Sequence, residues 1–385
     1  MVASGLTQAC FDPRFSDKIP HVTEARAAAA RGEDTASNAA RDLRGLSLDE
    51  LEETVVAAGE RAYRARQIAH WLYRRNVDSI DAMHDLPAAL RTFLNHRFTL
   101  PPPLVATVRR SSDGTRKLLV RLADGQAIET VVIPAGNRIT LCLSSRVGCP
   151  MRCAFCATAR MGLHRNLSTG EIVSQIVAAR GELGADEILT NYVFMGMGEP
   201  LANYPRLLQA LKVMTAPWAM GISPRRITVS TVGLPPTMAR LLAETSVNLA
   251  VSLHATTDEV RDRLAPINQR YPLGQLLEAC SRLPLKRRSR VTFEYVLLAG
   301  VNDWPADASR LVKLLAPVRA KVNLICFNPF AGCGFQASSR SALEAFQAIL
   351  HKGNLTATIR ESRGRDIAAA CGQLYAEPHP ETLSQ

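Results

Sequence analysis

Apolar positions recur with a helical period in the first hundred residues and with a strand period after them. In "SLDELEETVVAAG" the apolar positions fall three and four apart. Ser47 stands as an N-cap, and Glu50 three residues on completes a capping box, so a helix is expected to open here and stop at Gly59. A second helix, "RAYRARQIAHWLYRR", carries Ile68, Trp71 and Leu72 on one stripe and Arg61, Arg64, Arg74 and Arg75 elsewhere. A third is expected over 87–98, and "LPPP" (100–103) reads as a boundary. From 104 to 134 the pattern alternates, in "LVATVRR", "TRKLLVRLA" and "AIETVVIP", with "SDG" and "ADG" at turns. That predicts a short antiparallel sheet joining two domains.

Beyond 138 the pattern changes again. Strand-like runs ("ITLCLSS", "YVFMG", "RITVST", "VNLAVSL", "VTFEYVLL", "KVNLICF") alternate with helical stretches at 168–183, 203–215, 235–244, 272–282, 305–316 and 338–352, and "TATIR" forms a last strand. Six βα units in a row imply a parallel sheet with outer helices. No Rossmann glycine fingerprint is present, so an α/β barrel, complete or partial, is expected, with its chemistry at the C-terminal ends of the strands. The expected organisation is a disordered or loosely ordered tail over 1–45, a small helical domain over 46–100, an antiparallel linking sheet over 101–136, a barrel over 137–376 and a C-terminal tail over 377–385.

Composition narrows the class. The 385 residues are 47% hydrophobic, enough for a large core. No run of about eighteen apolar residues exists to span a membrane, and "MVASGLTQACFDPRFSDK" lacks the apolar stretch of a signal peptide. Nine cysteines, an odd count, argue against a disulfide framework and for a cytoplasmic location. The net charge of +11 biases the chain toward a polyanion, most commonly nucleic acid.

The densest chemistry lies in "RVGCPMRCAFCATARMG". Cys149, Cys153 and Cys156 are spaced C-x3-C-x2-C, directly after the first barrel strand. Thiolates hold zinc or iron–sulfur clusters. Structural zinc usually takes two cysteine pairs, and the nearest other cysteine, Cys142, lies on the preceding strand. Three ligands on a [4Fe–4S] cluster leave one iron open to a small molecule.

This spacing and placement resemble the radical S-adenosylmethionine (SAM) superfamily. The resemblance implies a partial (β/α)6 barrel, SAM chelated by the open iron, and reductive cleavage to a 5′-deoxyadenosyl radical. Its remaining SAM contacts are sought at later strand ends. "GMGEP" supplies Gly198, whose backbone can approach a ligand, and Glu199, suited to an ammonium group. "STVG" supplies Ser230, "SLH" supplies Ser252, Leu253 and His254, and "FNP" supplies Asn328.

The resemblance is closer still over residues 45–376. "LCLSSRVGCPMRCAFCATARMGLHRNL", "GMGEPLANY", "AVSLHA", "PIN", "VNLICFNP" and "RGRDIAAACGQL" together look like the dual-specificity ribosomal and transfer RNA adenine-C2 methyltransferases. C2 of adenine is electron-poor and cannot attack the SAM methyl group itself, so a radical route is needed. The resemblance implies that Cys371 accepts a methyl group and links it to the base. It implies that Cys142 removes the C2 proton and closes a disulfide with Cys371, and that Glu129 assists proton transfer. It also implies 23S rRNA and tRNA as substrates and a reductant such as flavodoxin or ferredoxin, with the chain acting as a monomer away from membranes.

Cys280 and Cys326 read as core, and Cys10 and Cys333 receive no role. Arg146 departs from the pattern, standing where many relatives of this type carry glutamine; the tail and the loop "FAGCGFQASSR" have no transferable role. Candidate phosphate contacts are Arg74, Arg75, Arg109, Arg110, the run "KRRSR" (286–290), Arg360, Arg363 and Arg365. Two rival readings share these motifs in part: a methyltransferase acting on C8 of the same adenine, and a non-enzymatic iron–sulfur electron carrier or RNA-binding module.

Overall fold

A computed structural model describes residues 41–375. Both halves of the expected capping box form: Ser47 Oγ accepts from Glu50 N at 3.1 Å, and Glu50 Oε2 accepts from Ser47 N at 2.8 Å. They open α1 (Leu48–Ala57), which buries Leu51 and Val55. Helix α2 (Arg64–His70) runs on into a wider π turn (Trp71–Arg75), and α3 (Ala88–Arg97) completes the helical part. The packed core reaches past the expected boundary at Leu46. Leu43 and Arg44 are fully buried, and Arg44 donates to the carbonyls of Pro101 and Val77, a tie between distant segments that apolar periodicity does not report. Residues 1–40 of the expected tail lie outside the described residues.

The following strands are β1 (Leu104–Arg110), β2 (Arg116–Arg121), β3 (Ala127–Ala135) and β4 (Arg138–Cys142). A hairpin, β5 (Arg146–Gly148) and β6 (Leu163–Asn166), brackets the cysteine loop and the short helix α4 (Ala157–Arg160). Six crossovers then join seven parallel strands. Helix α5 (Thr169–Gly181) leads to β7 (Asn191–Phe194), α6 (Tyr204–Thr215) to β8 (Ile227–Thr231), and α7 (Pro235–Glu244) to β9 (Asn248–Ser252). Helices α8 (Asp258–Leu264) and α9 (Leu273–Ser281) lead to β10 (Val291–Leu297). Helix α10 (Pro305–Leu315) leads to β11 (Ala320–Cys326) and α11 (Arg340–Lys352) to β12 (Ala357–Arg360).

The main sheet has ten strands in the order β12-β11-β10-β9-β8-β7-β4-β3-β2-β1. From β4 to β12 every pairing is parallel; from β4 to β1 every pairing is antiparallel. The barrel is therefore partial: β12 is one edge, and β4 pairs with β3 instead of closing on β12. The antiparallel strands expected as a link between domains extend the barrel sheet itself, with Val131 opposite Cys142. One apolar core runs from Leu43 through the barrel to Leu374. No helix among the described residues is long and apolar enough to cross a membrane.

Candidate active site

The cysteine loop leaves the sheet through the β5–β6 hairpin, and Gly148 makes that exit possible. It sits at φ +76°, and a Cβ there would lie 2.0 Å from the Gly162 carbonyl oxygen. The adjacent Cys149 N–H donates to that same oxygen at 2.6 Å. Farther along, Ala154 N donates to Leu264 O at 3.0 Å, which fastens the loop to the end of α8. Cys149 and Cys153 are buried and Cys156 is half-buried, and all three line one cavity at the C-terminal ends of the strands. Burial pushes the Cys149 thiol up to about 12 and raises Cys153 and Cys156 as well. The thiols stay protonated until a metal displaces the protons.

Among the described residues no three His, Cys, Asp or Glu side chains converge on a single metal ion. A zinc ion needs four donors about 2.0–2.3 Å from one centre. A cubane is held at separate corners, so its ligands need only face a common space, as these thiols do. The donor set fits a cluster with one open corner.

The rim residues expected from later strand ends gather on the same cavity: Gly198, Glu199, Ser230, Ser252 and His254 line it. Leu253 is fully buried and lies outside the lining. Asn328 also lies outside it, donating to Ser362 Oγ at 2.8 Å and Cys326 O at 3.2 Å; its Oδ1 is buried without a partner, an acceptor left for a donor from elsewhere. Glycine in "GMGEP" serves the chain's own packing first. A Cβ on Gly196 would meet Leu143 O at 2.7 Å, and one on Gly198 would meet Arg146 Cβ at 2.6 Å.

Glu199 is buried, and burial raises its pKa to about 7 against the pull of its amide partners. Its Oε1 accepts from Leu201 N at 3.0 Å and its Oε2 from Val232 N at 2.9 Å, stapling the β7 end to the β8 end. His254 sits at φ +60°, an uncommon conformation for a non-glycine residue. Its Nδ1 accepts from Val296 N at 3.1 Å, so a neutral ring carries its proton on Nε2. Burial, and then Arg261, lowers its pKa to about 3. Phe155 from the cysteine loop packs edge-on against the His254 ring, 4.6 Å between centroids.

Cys371 is exposed and lines the same cavity. Its segment is held from two sides. Toward the cysteine loop, Ala157 N donates to Gly372 O at 2.7 Å and Thr158 Oγ1 to Leu374 O at 2.6 Å. Toward the antiparallel strands, Gly364 N donates to Asp113 Oδ2 at 2.9 Å and Lys117 Nζ to Ala368 O at 3.1 Å. Glu129, expected to help move protons, lies outside the cavity lining. Its Oε1 pairs with Lys117 Nζ at 2.8 Å and its Oε2 accepts from Tyr375 N at 2.9 Å, so it fastens the chain four residues beyond Cys371. Cys142 is also outside the lining, at the end of β4. Burial, and then the nearby Cys371 thiol, raises its pKa. Both are free thiols, so the disulfide implied between them is not formed in this state.

Three cavity or rim residues escaped sequence reasoning. Cys326, expected in the core, is half-buried and lines the cavity, because β11 ends at that residue. Glu294 is buried, lines the cavity and accepts from Asn323 Nδ2 at 2.8 Å. An acid inside the apolar run "VTFEYVLL" was the available signal. Arg261, fully buried, donates to Val232 O, Leu253 O and Asn268 Oδ1, tying two strand ends to the "PIN" turn. Cys280 is buried as expected, and Cys333 is half-buried in a loop.

Comparison with known proteins gives the same picture. Residues 143–312 match the model of the radical SAM superfamily, and residues 41–100 match the ribosomal RNA large subunit methyltransferase N-terminal domain. A protein of Geobacter sulfurreducens named dual-specificity RNA methyltransferase RlmN is 50% identical over 333 residues, 86% of this chain and 91% of its own. One of the same name from Syntrophus aciditrophicus is 46% identical over 342 residues, 89% of this chain and 98% of its own. The crystal structure of a radical SAM methyltransferase from Sphaerobacter thermophilus is 47% identical and superposes with a TM-score of 0.83, covering 88% of this chain and 100% of that one. On this match, which extends through the barrel and the helical part alike, the chain belongs to the dual-specificity RNA methyltransferase family of the radical SAM superfamily.

Proposed function

We propose that this chain methylates C2 of an adenine in 23S rRNA and in tRNA, carrying the methyl group on Cys371. The observation that carries the reading is the shared cavity of Cys371 with Cys149, Cys153 and Cys156. An electron carrier has no use for an accessible thiol opposite its cluster.

Cys149, Cys153 and Cys156 would hold a [4Fe–4S] cluster, and Gly198, Glu199, Ser230, Ser252, His254 and Asn328 would hold SAM, with the buried Leu253 backing the strand end behind them. When bound there, the two supply a methyl group and a carbon-centred radical. Glu199 keeps lone pairs free beside its two amide bonds and can take an ammonium group. The unpartnered Asn328 Oδ1 accepts a further ligand donor. Neutral His254 offers Nε2–H as a donor across the working pH range. Cys371, as thiolate, would take the methyl group, lose one of that group's hydrogen atoms to the radical that the bound groups supply, and join the resulting carbon to C2 of the base. Cys142, as thiolate, would remove the C2 proton while one electron leaves the adduct for the cluster. Its sulfur would then attack the Cys371 sulfur, forming a disulfide as the bond from that sulfur to the methylene carbon breaks, and that carbon would take the proton that Cys142 had removed to become the methyl group. Glu129 acts at one remove, by holding Tyr375 and pairing with Lys117. The target adenine must leave its stack to reach the strand ends. A one-electron donor of the flavodoxin or ferredoxin type serves the cluster, and the chain works as a cytoplasmic monomer.

The test is mass spectrometry of nucleosides from rRNA and tRNA treated anaerobically with reconstituted protein, SAM and reductant. 2-Methyladenosine is expected from the native chain and none from Cys371→Ala. With Cys142→Ala the RNA should remain covalently attached. An 8-methyladenosine product would transfer the reading to the C8 reaction. Full methylation by Cys371→Ala would overturn it.

A further inference from the structure

Arg146 is a buried cation whose charge is not matched by a contacting anion. It lies in β5, three residues before Cys149, and is only 7% exposed. Its aliphatic stem packs on Gly198, at 2.6 Å and 2.8 Å from where a Cβ would stand, which leaves no room for any other residue at position 198. Its Nε donates to Asn166 Oδ1 at 2.7 Å, a neutral acceptor. Among the described residues it forms no ion pair. Other buried cations here meet an opposite charge or more acceptors: Lys117 pairs with Glu129, Arg116 pairs with Glu187, and Arg261 donates to Val232 O, Leu253 O and Asn268 Oδ1. The carboxylate whose charge reaches it, Glu199, spends its oxygens on the amides of Leu201 and Val232.

A buried charge without a counter-charge is costly, and such groups persist where a counter-ion repays the desolvation. The anionic chemistry available here is thiolate. A cubane in its resting oxidation state carries a core charge of about two, and three thiolates give the assembly about one net negative charge; one-electron reduction adds another. We propose that Arg146 is the internal counter-cation of the cluster site and raises the cluster's reduction potential. This rests on the reading that Cys149, Cys153 and Cys156 hold a [4Fe–4S] cluster. A fixed positive charge attracts the more negative, reduced state more strongly, and low solvent access keeps that attraction from being screened. Glutamine can keep a hydrogen bond to Asn166 but not the charge, so the effect belongs to this arginine.

The experiment is an EPR-monitored redox titration of the full chain, anaerobically reconstituted without SAM, comparing native protein with Arg146→Gln and Arg146→Lys. Iron and sulfide contents are measured first. At a fixed solution potential Arg146→Gln is expected to lower the reduced-to-oxidised ratio about tenfold, a fall of about 59 mV for one electron. Arg146→Lys should stay near the native value. A glutamine variant that loses its cluster while the lysine variant keeps it would also support a counter-charge role. An unchanged midpoint in a fully loaded glutamine variant overturns the proposal, as does an equal shift or equal cluster loss in both variants, which would make the arginine's shape decisive. Native protein that takes up no cluster overturns the underlying reading instead, and the proposal with it.

Discussion

Glu129 and Lys117 form a diagonal pair on neighbouring strands, Glu129 standing opposite Leu119 and Lys117 opposite Val131; both are about 7% exposed at the side chain and lie 2.8 Å apart. Between them they accept from Tyr375 N and donate to Ala368 O, on either side of Cys371. Removing one partner of a buried pair leaves the other charge unpaired, at a cost of about 3–5 kcal/mol. Glu129→Gln should therefore lower the unfolding midpoint of the full chain clearly, in denaturant or heat, even before catalysis is measured. Lys117→Met together with Glu129→Gln should recover much of that loss, since no lone buried charge remains. A Glu129→Gln chain as stable as the native one would return the residue to a purely chemical part. The resemblance implied proton transfer for Glu129; the fold gives its carboxylate two structural partners, Lys117 Nζ and Tyr375 N.

At the scale of elements, the site is a meeting of two pieces, the β5–β6 hairpin with its cysteine loop and the segment bearing Cys371. Gly148 controls the first. An added methyl group there meets the Gly162 carbonyl oxygen, which is backbone and cannot swing aside, and the φ of +76° is itself unfavourable for alanine. Gly148→Ala should fold its barrel yet take up much less iron on reconstitution. Gly125→Ala is the control, with a similar φ but open space around it, and should load normally. Normal iron content in Gly148→Ala would show that the loop tolerates a shifted exit. The sequence made part of this legible. The βα alternation and the capping box at Ser47 are local signals and were realised within a residue or two. The hairpin was not foreseen, because strands of three and four residues hold too few alternations to stand out beside three cysteines. Helix α8 was missed because Arg261 occupies its buried face where an apolar residue is expected. The hold on Cys371 was beyond reach for another reason: its bonds join residues some 250 positions apart, such as Lys117 with Ala368.

Across the whole molecule, the cavity opens at one end of the barrel, and exposed basic residues stand at both ends. Arg363 and Arg365 are exposed in the segment that leads from β12 to Cys371. The exposed run Lys286–Arg290 precedes β10, at the opposite ends of the strands. Arg74 donates to Pro217 O, between α6 and β8, and so lies toward that far end too. An RNA whose adenine enters the cavity must bring phosphates near the first group and not the second. Removing one arginine that touches a phosphate should reduce the salt slope of binding by about one and weaken binding on all sequences alike. Arg363→Glu with Arg365→Glu is therefore expected to weaken RNA affinity by tenfold or more at moderate salt and to flatten the salt dependence by about two, with iron content unchanged. Reversing Arg287 and Arg288 should leave both quantities close to native. Filter binding over a range of salt concentrations separates the two faces, and equal losses from both pairs would mean that the RNA wraps the barrel instead of docking at its mouth.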